Sequence, residues 1–216
     1  TRKVRRLGGL SIAAHPYQFG DGITWGFGYN FDEMDAIEVW NGSWSGINAV
    51  ANDKAVARWH TLLSKGVFKA AVGNSDTHKQ EQTIGRAQTV VRSESLSATA
   101  IIDGYRQGHS WLTDSSGVDL AFTASLDEVT GECGDHVPST ADEQVAVRLE
   151  VSGVPDAVGT LIGPWARSYG TASADAEGRL VLESEVPGGT RFVRAEVRRG
   201  TTMVAMTNPI FLTAAT

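Results

Sequence analysis

The sequence predicts an α/β part followed by an antiparallel β-sandwich, with the change of pattern near residue 118. Three observations carry this expectation. Up to about residue 108, short apolar runs alternate with helical patterns, the arrangement of a parallel α/β sheet or barrel. Beyond it, apolar and polar residues alternate at period two, as half-buried antiparallel strands require. Turn residues, among them Gly153, Pro155, Gly178, Gly188 and Gly189, divide this second part at short intervals, which fits a sandwich. The expected domains are therefore residues 1–117 and 118–216.

The elements follow in order. Residues 1–7, stopped by Gly8 and Gly9, predict the end of a helix whose basic residues Arg2, Lys3, Arg5 and Arg6 sit favourably near its negative terminus. Residues 10–14 predict a strand that ends at His15 and Pro16, where proline breaks the ladder. After a loop rich in glycine and aromatic residues, 17–29, a second strand is expected over 36–40, turning at Asn41 and Gly42. Asn52 predicts the N-cap of a helix with Val56, Trp59 and Leu63 on one face and Gly66 as its stop. A third strand, 68–72, runs into Gly73, Asn74, Ser75, Asp76, Thr77 and His78. Ser97 predicts a further N-cap, with Leu96 and Ile101 as a hydrophobic staple and Gly108 as the helix end. In the second part, strands are expected over 118–122, 145–151, 180–182 and 193–197.

Composition narrows the function classes. With 41% hydrophobic and 20% charged residues the chain reads as globular. A formal net charge of −6 argues against nucleic-acid binding, which needs clustered cations to neutralise phosphates. No apolar run is long enough for a transmembrane helix, so no membrane partner is expected. The charged start, without Met or an apolar leader, reads as the start of an excised piece. The single Cys133 excludes an internal disulfide. The Lys-poor, Ser/Thr/Ala-rich composition leans towards a secreted bacterial protein.

Ligand-type side chains follow two of the predicted strands: His15 after the first, Asp76 and His78 after the third. If the strands are parallel, their ends share one face and the three side chains can meet at one ion. Imidazole with carboxylate suits Zn, Mn or Fe, and three ligands with an open position make a catalytic site. The plainer readings are a hydrogen-bonded histidine at a strand end and an aspartate capping its own turn. Glu38 reads as a ligand, a support behind the ligands, or the exposed side of an edge strand. Cys133 and His136 have a zinc-type spacing without two further ligands nearby, so residues 131–135 read better as a hairpin turn.

Three segments carry a resemblance. Residues 8–16, ending in His15 and Pro16, residues 35–42, and residues 72–78, with Ser75, Asp76 and His78, resemble in order and spacing the motifs of the PHP (polymerase and histidinol phosphatase) family. Gly85, Thr89, Val90 and the segment to His109 and Ser110 resemble that domain's closing elements, and residues 206–212 the end of its carbaryl-hydrolase-like branch. The resemblance implies the C-terminal half of a distorted seven-stranded β/α barrel that binds two or three divalent ions, Zn, Mn or Fe, and hydrolyses phosphoesters or other esters. It implies His15, Asp76 and His78 as metal ligands, with Glu38 and Asn41 beside them. Trp25 and Tyr29 are candidates for a substrate pocket, and Lys79 and Arg86 for holding a phosphate.

The family's H-x-H pair and the His and Glu ligands that follow it are absent here. His60, His109 and His136 fall in segments that do not replace them. The implied partner is a missing N-terminal segment of the same barrel, cleaved but associated or carried on another chain. The alternative is a non-enzymatic binding or scaffold protein for a glycan or protein ligand on a degenerate barrel.

Overall fold

The computed structural model describes residues 1–20 and 25–212. Residues 21–24 of the predicted aromatic loop and 213–216 of the predicted sandwich lie outside the described residues. The chain forms two compact units, Thr1–Asp114 and Ser115–Thr216, each mixed or strand-rich in a different way.

The first unit begins with α1 (Arg2–Arg6), after which Gly8 takes a left-handed φ of 80° and turns the chain. Strands β1 (Ile12–Ala13), β2 (Ala36–Asn41) and β3 (Ala70–Asn74) form a parallel sheet in the order β1-β2-β3. The register pairs Ile12 with Ala36, Ala36 with Ala70, and Asn41 with Asn74, so all three strands end on one edge. Every residue of β2 is buried, as a central parallel strand covered on both faces should be. Between β2 and β3 runs α2 (Gly46–Ser64), which buries Ala51, Ala55, Trp59, Leu62 and Leu63. The Trp59 indole donates to the Lys69 carbonyl at 2.8 Å, fixing the helix against the start of β3.

Three expectations change here. Asn52 is not an N-cap. The helix starts seven residues earlier than expected, with Ser45 at the cap position, and Asn52 lies buried inside it, accepting from the Asn41 N–H at 3.0 Å and donating to the Asn41 carbonyl at 3.3 Å. A buried amide that satisfies strand backbone outweighs its local capping tendency. The third strand covers Ala70–Asn74 and not 68–72. Leu96 is 99% exposed, so no hydrophobic staple forms, although Ser97 does cap α3 (Ala98–Gln107) by accepting from the Ala100 N–H at 3.2 Å.

Strands β4 (Gln88–Val91) and β5 (Ser110–Thr113) flank α3 and pair antiparallel. The Thr89 hydroxyl accepts from the Gly73 N–H and donates to the Gly73 carbonyl, both at 2.8 Å, tying β4 to β3. The described residues do not close into a barrel. The first unit is a short parallel sheet with helices and an antiparallel strand pair.

Among the described residues, the second unit contains strands and one 3-10 turn, Pro164–Ala166. One sheet has the order β12 (Leu180–Pro187), β9 (Gln144–Ser152), β6 (Asp119–Leu126) and β7 (Val129–Gly131). The other contains β11 (Ser168–Ser173), β10 (Val158–Ile162), β13 (Phe192–Arg199) and β14 (Thr202–Thr207) in that order. Gly159 on β10 faces Leu149 on β9 and Leu180 on β12 so closely that a Cβ there would lie 2.9–3.2 Å from their methyl groups. This sandwich-like contact is filled by alternate residues such as Val147, Leu149 and Val151, the inner face of a strictly alternating strand. Residues 132–135 turn with Asp135 N–H donating to the Glu132 carbonyl at 2.9 Å. They do not lead into a hairpin: β8 (His136–Val137) pairs parallel with β15 (Ile210–Leu212).

On β13 three charged residues alternate onto one face. Arg194 is 3% exposed and its guanidinium lies 2.8 Å from Glu196, which also takes Arg198 at 2.9 Å. Among the described residues, no helix is long and apolar enough to cross a membrane.

Candidate functional site

The shared edge of the parallel sheet gathers the chemistry-bearing residues of the first unit. His15 lies two residues beyond β1, Asn41 ends β2, and Asp76 and His78 follow β3. The strand-to-loop turns are tight. His15 has φ 31° and Asp76 φ 51°, left-handed conformations that non-glycine residues adopt at a cost. The Gln18 N–H donates to the His15 carbonyl at 3.0 Å and closes the first turn. Gly42, with φ 60°, donates its N–H to the Asn74 carbonyl at 2.8 Å and links the ends of β2 and β3.

Glu38 is the hub behind this edge. It is 5% exposed, and its carboxylate accepts from the His15 N–H at 2.5 Å, from Asn74 Nδ2 at 3.0 Å and from Asn41 Nδ2 at 3.4 Å. Asn41 Oδ1 in turn accepts from Gln18 Nε2 at 3.1 Å. One reading of this single carboxylate in an apolar run puts Glu38 on the exposed side of an edge strand. The structure places it in a central, wholly buried strand. Sequence reasoning missed the part that Gln18, Asn52 and Asn74 play in completing the network, because each acts on a residue far along the chain.

The imidazoles differ. His15 Nδ1 is buried and has no hydrogen-bond partner, whereas His78 Nδ1 lies 2.7 Å from the Asp76 carbonyl oxygen. The latter contact requires the proton on Nδ1 and leaves the Nε2 lone pair free, the arrangement of a ligating histidine oriented by a backbone carbonyl. The His78 ring is also 3.7 Å from the Asp76 carboxylate, and Gln82 Oε1 accepts from the His78 and Lys79 N–H groups at 2.7 and 2.8 Å. Among the described residues, no group of three or more His, Cys, Asp and Glu side chains is close enough to hold a metal ion. His15, Asp76 and His78 share an edge without converging on one point. β2 stands between β1 and β3, so the backbone ends that carry these residues lie two strand intervals apart, roughly 9–10 Å.

The flanks carry the other candidates. Tyr17, in the His15 turn, stacks on Tyr29 with ring centroids 4.8 Å apart. Burial pushes the Tyr17 phenol above its usual value, partly offset by the positive charge of Arg58. Arg58 Nε donates to the Tyr29 carbonyl at 2.7 Å and pins this segment to α2. Trp25 is half-buried and packs against Phe27 and Phe31. Lys79 and Arg86 are exposed. His60, by contrast, is buried on α2 beside Ser64, 3.4 Å away, and takes no part in the edge. No known family, curated protein or solved structure matches this chain.

Proposed function

We propose that the chain is part of a metal-dependent phosphoesterase of the PHP type, whose hydrolytic centre uses the edge formed by His15, Asp76 and His78. The observation that carries this reading is the pair of imidazoles on one strand-end edge, one with a buried, unpartnered Nδ1 and the other with its Nδ1 engaged by a carbonyl so that Nε2 is free. Zn, Mn or Fe suits such ligands, two or three ions being the number the family resemblance implies. When bound, the ions would activate water and polarise the phosphoryl oxygen.

The chain's own residues hold and orient. His15, Asp76 and His78 supply ligands; Glu38 and Asn41 keep the strand ends in register; Lys79 and Arg86 offer cations to a substrate phosphate; Trp25 and Tyr29 wall the site. The remaining ligands come from a further segment of the barrel, cleaved or on another chain, added beside β1, which pairs only with β2 among the described residues. Nucleic acid and membrane are not among the proposed partners. Secretion from a bacterial cell fits the composition.

The test is phosphate release from an aryl phosphate, with bound metal measured, for the 216-residue chain and for the chain joined to its upstream segment. Hydrolysis by the joined protein with Mn or Zn is expected, with little by the chain alone. Loss of turnover and of at least one equivalent of metal on His15→Ala would support the ligand role. No metal and no turnover in the joined protein would overturn the reading in favour of a binding or scaffold protein.

A further inference from the structure

Glu38 is a buried acid with no step to perform in the proposed hydrolysis, yet its carboxylate reaches all three strand ends. It accepts from the backbone N–H of His15 beyond β1, from the side chain of Asn41 on its own strand, and from the side chain of Asn74 at the end of β3. Each partner is a donor, so the network is satisfied only by a group that accepts on both oxygens. The His15 contact is made at a residue with φ 31°, where the backbone needs an external hold to keep its conformation. Asn41, also buried, passes the constraint on to Gln18 in the same turn.

We infer that Glu38 is a positioning residue that fixes the backbone of His15 and the end of β3 through one carboxylate, so that the imidazole edge is set before any cation arrives. This rests on the proposed metal-binding role of His15 for its consequence in metal affinity, but not for its consequence in the His15 turn. The shape of the side chain is insufficient for the task. Gln at position 38 has the same size, and its amide nitrogen would either point a donor at the His15 N–H or force the Asn41 and Asn74 amides, and with them Gln18, to turn over.

Two readouts on the 216-residue chain test the inference. In Glu38→Gln, exchange of the His15 amide proton, followed by NMR, should accelerate about tenfold or more, while the amide of Ala71 in the sheet interior stays protected. Zn(II) affinity, measured by titration of the same samples, should fall about 10–100-fold. Unchanged exchange at His15 in a folded Glu38→Gln protein would overturn the positioning role. Faster exchange with unchanged affinity would overturn its link to the metal. If the wild-type chain binds no Zn(II), the metal-binding proposal fails, and the exchange readout alone decides whether Glu38 positions His15. If Glu38→Gln does not fold, Asn74→Ala takes its place, because Asn74 lies at an exposed strand end. An Asn74→Ala protein with wild-type exchange at His15 and wild-type Zn(II) affinity would overturn the inference.

Discussion

Replacing Glu196 by Gln should strongly destabilise the second unit. Arg194 is 3% exposed and sits 2.8 Å from Glu196, which also bonds Arg198. Burial alone would push the Glu196 carboxyl up, but the two guanidiniums more than offset it and leave it below the usual carboxylate range. Burial in turn lowers the Arg194 pKa despite that negative neighbour. Removing one partner of a buried ion pair costs about 3–5 kcal/mol, since the other charge stays buried and uncompensated. Gln keeps one acceptor oxygen, which points to the lower end, about 3 kcal/mol. With a urea dependence of about 1–3 kcal/mol per M, the midpoint should fall by about 1–3 M.

The internal control is Glu183→Gln, which breaks the pair with Arg148 across β9 and β12. Both of those side chains are largely exposed to water, so a far smaller loss than for Glu196→Gln is expected. Hydrogen exchange of the β9 amides along a urea series reads the stability of the second unit separately from the first. A Glu196→Gln protein within about 0.5 kcal/mol of wild type, or no worse than Glu183→Gln, would refute the argument.

Three further outcomes are expected. Burial would raise the Asp35 carboxyl, but the Ser11 N–H and hydroxyl and Arg5 outweigh it and hold the group below the ordinary carboxylate value it has in the unfolded chain. Its contribution to stability is therefore fully present above that unfolded value and lost as pH falls through the lower folded one; acid titration of wild type against Asp35→Asn, followed by circular dichroism, should show this difference only in that window. Asn52→Ala leaves the N–H and carbonyl of Asn41 without their side-chain partner inside the core and should cost about 1–3 kcal/mol by thermal or urea unfolding. Gly153→Ala combines a left-handed φ of 77° with a Cβ driven into the Gly117 carbonyl, and it should destabilise the second unit by more than the roughly 1 kcal/mol of an ordinary left-handed alanine.

The sequence made the strand ends legible because local chemistry marks them. His15 with Pro16 stops β1, Asn41 with Gly42 stops β2, and Gly108 in left-handed geometry ends α3. β9 was equally plain, since its alternation is strict from Gln144 to Ser152. What escaped depends on residues far apart in the chain. Asn52 has the side chain of a cap, and only its contact from α2 with Asn41 at the end of β2 reveals its real use. Leu96 has the right neighbour in sequence for a staple, yet it points into solvent. At the candidate site the residue types and their common edge were legible, whereas their separation was not: the order β1-β2-β3 puts a whole strand between His15 and Asp76. Glu38 showed as polar, but its grip on three strand ends needed the register.

The parallel pair of β8 and β15 bears on how the second unit is made. Phe211 pairs with His136 and Leu212 with Val137, the rings of His136 and Phe211 stack 4.7 Å apart, and the Gly134 N–H reaches the Pro209 carbonyl at 2.7 Å. During synthesis, β6 and β9 can pair soon after they emerge, but the segment around His136 must wait for the strand that follows β14. Closing so long a loop is a late and entropically costly event. A ribosome stalled just short of Ile210 should therefore hold a nascent chain with its first hairpins formed and its β8 segment open to chaperones or proteases, with protection at His136 appearing only after Leu212 has cleared the exit tunnel.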